Sequence, residues 1–453
     1  MGGASDSLER AVAGASVTRT VVLAGGASAA LPSLVGDHFP GRRILLVADG
    51  NTDAAAGRSA AAALAAAGIA HETLILPGTP RLKPRVGHAD DIARRIAQAG
   101  AVPVAVGSGV LNDLVKRAAA VAERPYAVVA TAASMDGYAA SGAALLDGDF
   151  KRTLPCPPPV AVLADLDVLA AAPPRMAGWG YGDLAGKIVA GADWILADAL
   201  GEEAIAPAIF ALVQDGLEEW LGRPERLARR DPAALDGLMR GLLITGFAMQ
   251  AHGTSRPASG SDHQFAHLWE MEGLAVAGEP VAHGACVGIG TVAMLALYEW
   301  LLAQDLSRID IDLALAARPS AADEQATVAA AFAEPGMADS ALAEVAAKRP
   351  APARLRQRLE RLAAGWPGLR HKLAQRLPSA AAMQGRLAAA GAPAHPDQIG
   401  VGPGKLAADY RRARLIRRRY TLLDLLADMG RLDEAVDSLF APAGFWGAQA
   451  ATR

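Results

Sequence analysis

Three of the chain's nine histidines, His263, His267 and His283, fall within twenty-one positions. His263 and His267 stand four apart, which on a helix turns both imidazoles to one face. His283 follows a Gly-Glu-Pro break and opens what reads as the next helix. Upstream, "GWGYGDLAGK" holds Asp183 in a glycine-flanked turn entering a helix; a capping role is the plain alternative for such an aspartate. One carboxylate and two imidazoles on separate helix ends, with coordination positions left open, suit a catalytic divalent ion such as zinc, iron or nickel. The spacing of four also fits one ligand beside one core histidine, so only one of His263 and His267 is expected to touch the ion. His252 precedes the Ser-Arg-Pro turn without a companion and reads as structural. Cys286, three past His283, reads as a buried thiol in a packed helix.

A second constellation lies earlier. "VPVAVGSGVLNDL" places Gly107-Ser108-Gly109 between a strand and a helix. Glycines there let the backbone approach a phosphate, and the amides of the helix start favour negative charge. The full G-x-G-x-x-G fingerprint is missing, so ordinary turn chemistry accounts for the pair equally well. Asp49 ends "RILLVAD". It is placed either to bond ribose hydroxyls and oppose a 2′-phosphate, favouring NAD over NADP, or to cap the segment starting near Thr52.

The elements that must position these residues change character along the chain. Strand-like runs at 20–25, 43–49, 71–77, 102–107 and 126–131 alternate with helical stretches at 53–67, 88–99 and 111–121. That alternation predicts parallel pairing in a doubly wound sheet. After about residue 170 the pattern is helical, broken by prolines near 223–232, 255–259, 349–353 and 391–396. The expected fold is therefore a Rossmann-like α/β dinucleotide-binding domain over 1–170. An all-helical metal- and substrate-binding domain would follow over 171–453.

The bulk numbers exclude several classes. A chain of 453 residues, 52% hydrophobic and 20% charged, is long enough for two cores. A net charge of −3 argues against a dominant affinity for nucleic acid or membrane. The basic run "RRARLIRRRY" at 411–420 lacks interleaved aromatics and reads as a solvated or intersubunit helix face. Gly284–Ala303 is long enough to span a bilayer on paper, but a lone apolar stretch after a histidine-rich turn predicts a buried helix. Two distant cysteines, Cys156 and Cys286, and an N-terminus without a signal pattern point to a cytoplasmic protein.

The motifs "ATAASMDGYAASGAAL", "GYGDLAGKIVAGADWILA", "SRPASGSDHQFAHLWEM", "HGACVGIGT" and "ARLIRRRYTLLDLLADMG" resemble the sn-glycerol-1-phosphate dehydrogenase family. That family lies within the iron-containing alcohol dehydrogenase and dehydroquinate-synthase-like superfamily. The resemblance runs from about residue 20 to 430 and implies the two-domain architecture above. It implies NAD or NADP held by Gly107, Ser108, Gly109, Val110 and Leu111 and by Thr131, Ala132, Ala133 and Ser134. It implies one divalent ion on Asp183, His263 and His283, zinc first, with nickel or iron as alternatives. Asp136, Asp183 and His267 would contact a small phosphorylated three-carbon substrate, in a homo-oligomer. The implied reaction interconverts dihydroxyacetone phosphate and sn-glycerol 1-phosphate.

Departures from the family pattern are Ala139-Ala140 with Ser141 one place late, and a region 305–400 without a counterpart. The rivals are a glycerol-type polyol dehydrogenase and a dehydroquinate-synthase-like cyclase. The cyclase pattern has a glutamate ligand and a Gly-His-Thr turn, where this chain has Asp183 and Ser-Gly-Ser-Asp-His. A non-catalytic relative is disfavoured because every expected ligand is present. For the substrate phosphate, Lys187 is favoured over Lys151 and Arg256 because it follows Asp183 by one helical turn. Arg417 and Arg419 qualify only if their segment folds back.

Overall fold

The computed structural model describes residues 3–78, 82–148, 150–332 and 335–450. Strands β1 (Thr20–Ala24), β2 (Ile44–Asp49), β3 (His71–Leu76), β4 (Val102–Gly107), β5 (Ala127–Ala130) and β8 (Ala161–Asp165) form one sheet. Its order is β1-β8-β5-β4-β2-β3, and every pairing is parallel. A separate antiparallel hairpin joins β6 (Ala143–Asp147) to β7 (Phe150–Leu154). The sequence pattern predicts five of the six sheet strands; β8 and the hairpin are additional. β4 and β8 are buried at every position and β2 at all but its last, as strands covered on both faces must be.

The order of this sheet creates a functional position. From β2 the chain moves outward to β3, then returns across β2 to lay down β4 and β5 on the other side. The direction of winding reverses between β2 and β4, and in open α/β sheets ligands bind outside the carboxyl ends of strands at such a switch point. Asp49 ends β2 and Gly107 ends β4.

The chain resolves into two compact units. The first holds Met1–Leu184, Ala211–Ser255 and Ala389–Ala392; the second holds Ala185–Phe210, Arg256–Ala388 and Pro393–Arg453. The first unit packs Ile44, Leu46, Val104, Val106, Val129 and Leu163 of the sheet against Leu31, Val35 and Leu64 from its helices. The second unit is helical apart from a ladder of two-residue strands, β9 (Ala275–Val276) and β10 (Glu279–Pro280). These are joined through Ala277 and Gly278, both at positive φ (51° and 81°), as a tight primed turn requires. The ladder sits between the helices Ser261–Met271 and His283–Leu302. The latter is the one helix among the described residues long and apolar enough to cross a membrane, and 83% of its most apolar window is buried.

One local expectation is overturned. Asp183 lies inside a continuous helix, Pro174–Ala199, and not in a turn at a helix start. Its glycine neighbours serve close packing. A Cβ on Gly180 would sit 2.0 Å from the Ala133 carbonyl oxygen, and one on Gly178 would sit 2.8 Å from that of Gly391. Glycine is tolerated in this helix interior, at a propensity cost of about 1 kcal/mol each, because distant backbone occupies the space a side chain would need.

Candidate active site

In the first unit the strand-to-helix turn forms as expected. Gly107 closes β4, Ser108 is extended, and Gly109 starts the helix Gly109–Val121. A Cβ on Gly107 would lie 2.4 Å from Leu111 Cδ1, so the glycine lets this helix turn back onto its own strand. The turn presents the amides of Gly109, Val110 and Leu111 at a helix N-terminus, where anions are favoured. The Thr131 N–H donates to the Gly107 carbonyl at 3.2 Å. The segment Thr131–Ser134 thereby follows β5 directly beside the turn, with Ala132 and Ala133 almost fully buried.

The loop after Ser134 is held by groups with no sequence signature. The ammonium of Lys116, fully buried, donates to the carbonyls of Gly137, Ala140 and Gly142 at 3.0, 2.8 and 3.0 Å. Burial pushes this lysine below its ordinary range, while Asp113 at 3.7 Å works against the shift. Gln250 donates to the carbonyl of Ala139, so at the position that departs from the family pattern the fold engages the backbone. Within this braced loop the Asp136 N–H donates to Asp183 Oδ2 at 2.9 Å, and Asp183 is fully buried. At the switch point, Asp49 Oδ1 accepts from the amides of Asn51 and Thr52, both at 2.9 Å. Thr52 Oγ1 returns the contact to the Asp49 N–H at 3.0 Å. The capping role of Asp49 is therefore real, and it uses only one carboxylate oxygen.

In the second unit the three histidines converge. Ring centroids are 5.4 Å apart for His263 and His283, 5.6 Å for His267 and His283, and 6.1 Å for His263 and His267. Each Nδ1 meets a carboxylate: His263 meets Asp262 Oδ2 at 2.5 Å, His283 meets Glu270 Oε1 at 2.9 Å, and His267 meets Glu270 Oε2 at 3.2 Å. With Nδ1 engaged, Nε2 is the nitrogen left for an ion, and a carboxylate on the far nitrogen is the usual support of a metal-bound histidine. The donor set thus fits a divalent metal. Asp262 Oδ1 is buried beside His263 without a hydrogen-bond partner among the described residues. Burial and the nearby Arg417 hold His267 well below the ordinary histidine range, so its imidazole is neutral at neutral pH. Asp262 and Glu270 are functional candidates that the spacing of the histidines alone does not single out, although each stands within three residues of one.

The helix carrying Asp183 continues into this unit. A Cβ on Gly186 would lie 2.4 Å from Asp262 Oδ2 and 3.3 Å from His263 Cε1, so the helix backbone rests against the histidine cluster. Lys187 is fully buried on the same helix, although lysines on helices are mostly solvated. Arg256 is fully buried and structurally paired, donating to the Asp193 carbonyl at 2.8 Å with Nε 3.2 Å from Glu203 Oε2. The Lys151 side chain lies outside the described residues. Cys286 is a buried free thiol, as expected.

Comparison with known proteins identifies the family. A family model described as iron-containing alcohol dehydrogenase matches residues 22–173. The chain is 36% identical over 266 residues to the glycerol-1-phosphate dehydrogenase (NAD(P)+) of Bacillus subtilis strain 168, covering 58% of this chain and 67% of that protein. The enzyme of the same name from Halalkalibacterium halodurans is 34% identical over 258 residues, covering 56% of this chain and 65% of its own length. In structure, the glycerol dehydrogenase of Schizosaccharomyces pombe aligns with a TM-score of 0.61 at 16% identity, over 96% of this chain and 92% of that one. That match carries the fold alone. The chain belongs to the glycerol-1-phosphate dehydrogenase family, within the iron-containing alcohol dehydrogenases.

Proposed function

We propose that the protein is a metal-dependent, NAD(P)-linked dehydrogenase that reduces dihydroxyacetone phosphate to sn-glycerol 1-phosphate and runs the reverse oxidation. The observation that carries the reading is the histidine cluster with a carboxylate on every Nδ1, in a chain of this family. Asp183, His263 and His283 are the proposed ligands, and zinc is the first choice for two imidazoles and a carboxylate, with nickel or iron as alternatives. Such an ion supplies Lewis-acid polarisation of a ketone oxygen, and the nicotinamide supplies the hydride.

The chain's own residues then have distinct tasks. Asp262 and Glu270 fix the ring orientation of His263 and His283. The Asp136 N–H donates to Asp183 Oδ2 and fixes the orientation of that carboxylate. His267, anchored through Nδ1 on Glu270, would in its neutral form accept the alcohol proton at Nε2 during oxidation, and as the imidazolium would return that proton to the nascent alkoxide during reduction. Asp136 and Lys187 complete the proposed substrate contacts. The turn Gly107–Leu111 and the segment Thr131–Ser134 would take the dinucleotide, with Asp49 on its ribose.

The test is NADH oxidation by metal-reconstituted enzyme with dihydroxyacetone phosphate against unphosphorylated dihydroxyacetone. A strong preference for the phosphorylated ketone is the expected result. Preference for the unphosphorylated ketone would move the protein to the polyol dehydrogenases.

A further inference from the structure

The basic run at 411–420 does not form a solvated helix face. Ala413–Ile416 is a single 3-10 turn; Arg417 after it is extended (φ −148°, ψ 145°), no helix or strand forms over 417–420, and Thr421 (φ −141°, ψ 178°) is the N-cap of the next helix. In extended chain, alternate side chains point to opposite sides. Arg418 faces outward, 69% exposed, where it pairs with Glu344 at 2.8 Å. Arg417 and Arg419 on either side of it are both only partly exposed. Arg419 donates to the carbonyl of Ser259, two residues before the helix that carries His263 and His267. Arg417 lies in the field of Glu270 and Glu344, close enough to His267 to depress its basicity. It forms no hydrogen bond or ion pair among the described residues.

Two guanidinium groups drawn together in a partly desolvated place oppose each other. Burial and Arg417 hold Arg419 below the ordinary arginine range, with Arg256 adding to the effect. A further anion between them would relieve that repulsion, and the planar donor fork of arginine matches a phosphate oxygen pair. We infer that Arg417 and Arg419 bind the phosphoryl group of the substrate, beside the histidine that handles its proton. The inference rests on the proposed reduction of a phosphorylated ketone. It replaces Lys187 as the principal phosphate contact, because an ammonium fully buried in a helix is less accessible than two partly exposed guanidinium groups.

The experiment compares wild type with Arg417→Met and Arg417→Lys. The first reading is calorimetric binding of inorganic phosphate to the metal-loaded enzyme. The second is the ratio of kcat/KM for dihydroxyacetone phosphate to that for dihydroxyacetone. Arg417 makes no hydrogen bond to an acceptor among the described residues, so neither variant orphans a described hydrogen-bond partner. Loss of two charge-assisted hydrogen bonds should lower the ratio about 100-fold in Arg417→Met, chiefly through KM, and abolish phosphate binding. Arg417→Lys should recover part of both. If wild type binds phosphate through Arg417 yet does not reduce dihydroxyacetone phosphate, the anion site stands and the proposed substrate falls. If Arg417→Met keeps both phosphate binding and the substrate ratio, or loses both substrates equally, the inference is overturned.

Discussion

The carboxylate of Asp193 holds the start of the histidine helix: Ser261 donates to its Oδ2 through the amide at 2.6 Å and through the hydroxyl at 2.7 Å. On the other oxygen Asp193 accepts from the Tyr298 hydroxyl at 2.7 Å and the Leu422 amide at 3.0 Å. One fully buried acid thus ties together the helices that carry His263 and His283 and the segment that follows Arg417. Asp193→Ala leaves four buried donors without an acceptor, and the expected loss is at least about 3 kcal/mol. Chemical denaturation of the metal-free protein measures it; a loss below about 1 kcal/mol would mean the network is dispensable.

How much of this was legible in the sequence depends on whether the cause is local. Strands such as "RILLVAD" and the break before His283 announce themselves through neighbouring residues. β8, an "AVLAD" run behind three prolines, is short and alanine-rich, and nothing local separates it from helix. The glycines around Asp183 read as a turn because the true cause, the Ala133 carbonyl and the Asp262 side chain pressing on the helix, is distant in sequence. Lys116 looks like any helical lysine until three carbonyls surround it. The pair Arg417 and Arg419 is hidden because the run reads as a helix, and only the extended backbone after Ile416 leaves both arginines partly covered beside the histidine helix.

The histidines should separate by role. His283→Ala should lose the bound ion along with turnover, whereas His267→Ala should keep the ion and lose turnover. Glu270→Gln should weaken metal affinity roughly 10–100-fold by loosening the His283 ring. Elemental analysis of the purified variants checks all three. Full metal content in His283→Ala would remove it from the ligand set.

Cofactor choice should respond to the charge of Asp49 and not to its cap. Asn is as good an N-cap as Asp, so Asp49→Asn should keep the turn at Gly50–Thr52 while narrowing a preference for NADH over NADPH by roughly tenfold. Steady-state kinetics with both cofactors measures it. A wild type that uses the two equally would contradict the role of the carboxylate.

Asp165, at the carboxyl end of β8, should make the first unit acid-sensitive. Burial alone would push its pKa up, but the Ser28 hydroxyl together with the amides of Ser28, Asp167 and Gly26 (2.8, 3.0 and 3.0 Å) outweigh that and hold it below the usual aspartate value. The folded value is lower than the unfolded one, so the stabilisation is complete above the ordinary aspartate range and is lost as pH falls through the lowered folded value. Thermal melts of wild type and Asp165→Asn should therefore differ at neutral pH and converge in acid. A gap that stays constant with pH would assign the effect to geometry and not to charge.

Resolving the enantiomers of the product is the most direct test of the proposed function. Metal-loaded enzyme given dihydroxyacetone phosphate and NADH should accumulate sn-glycerol 1-phosphate in step with the NADH consumed, and should stop when the metal is chelated. Absence of NADH oxidation with dihydroxyacetone phosphate in the metal-loaded enzyme, or accumulation of the opposite enantiomer, would contradict the account.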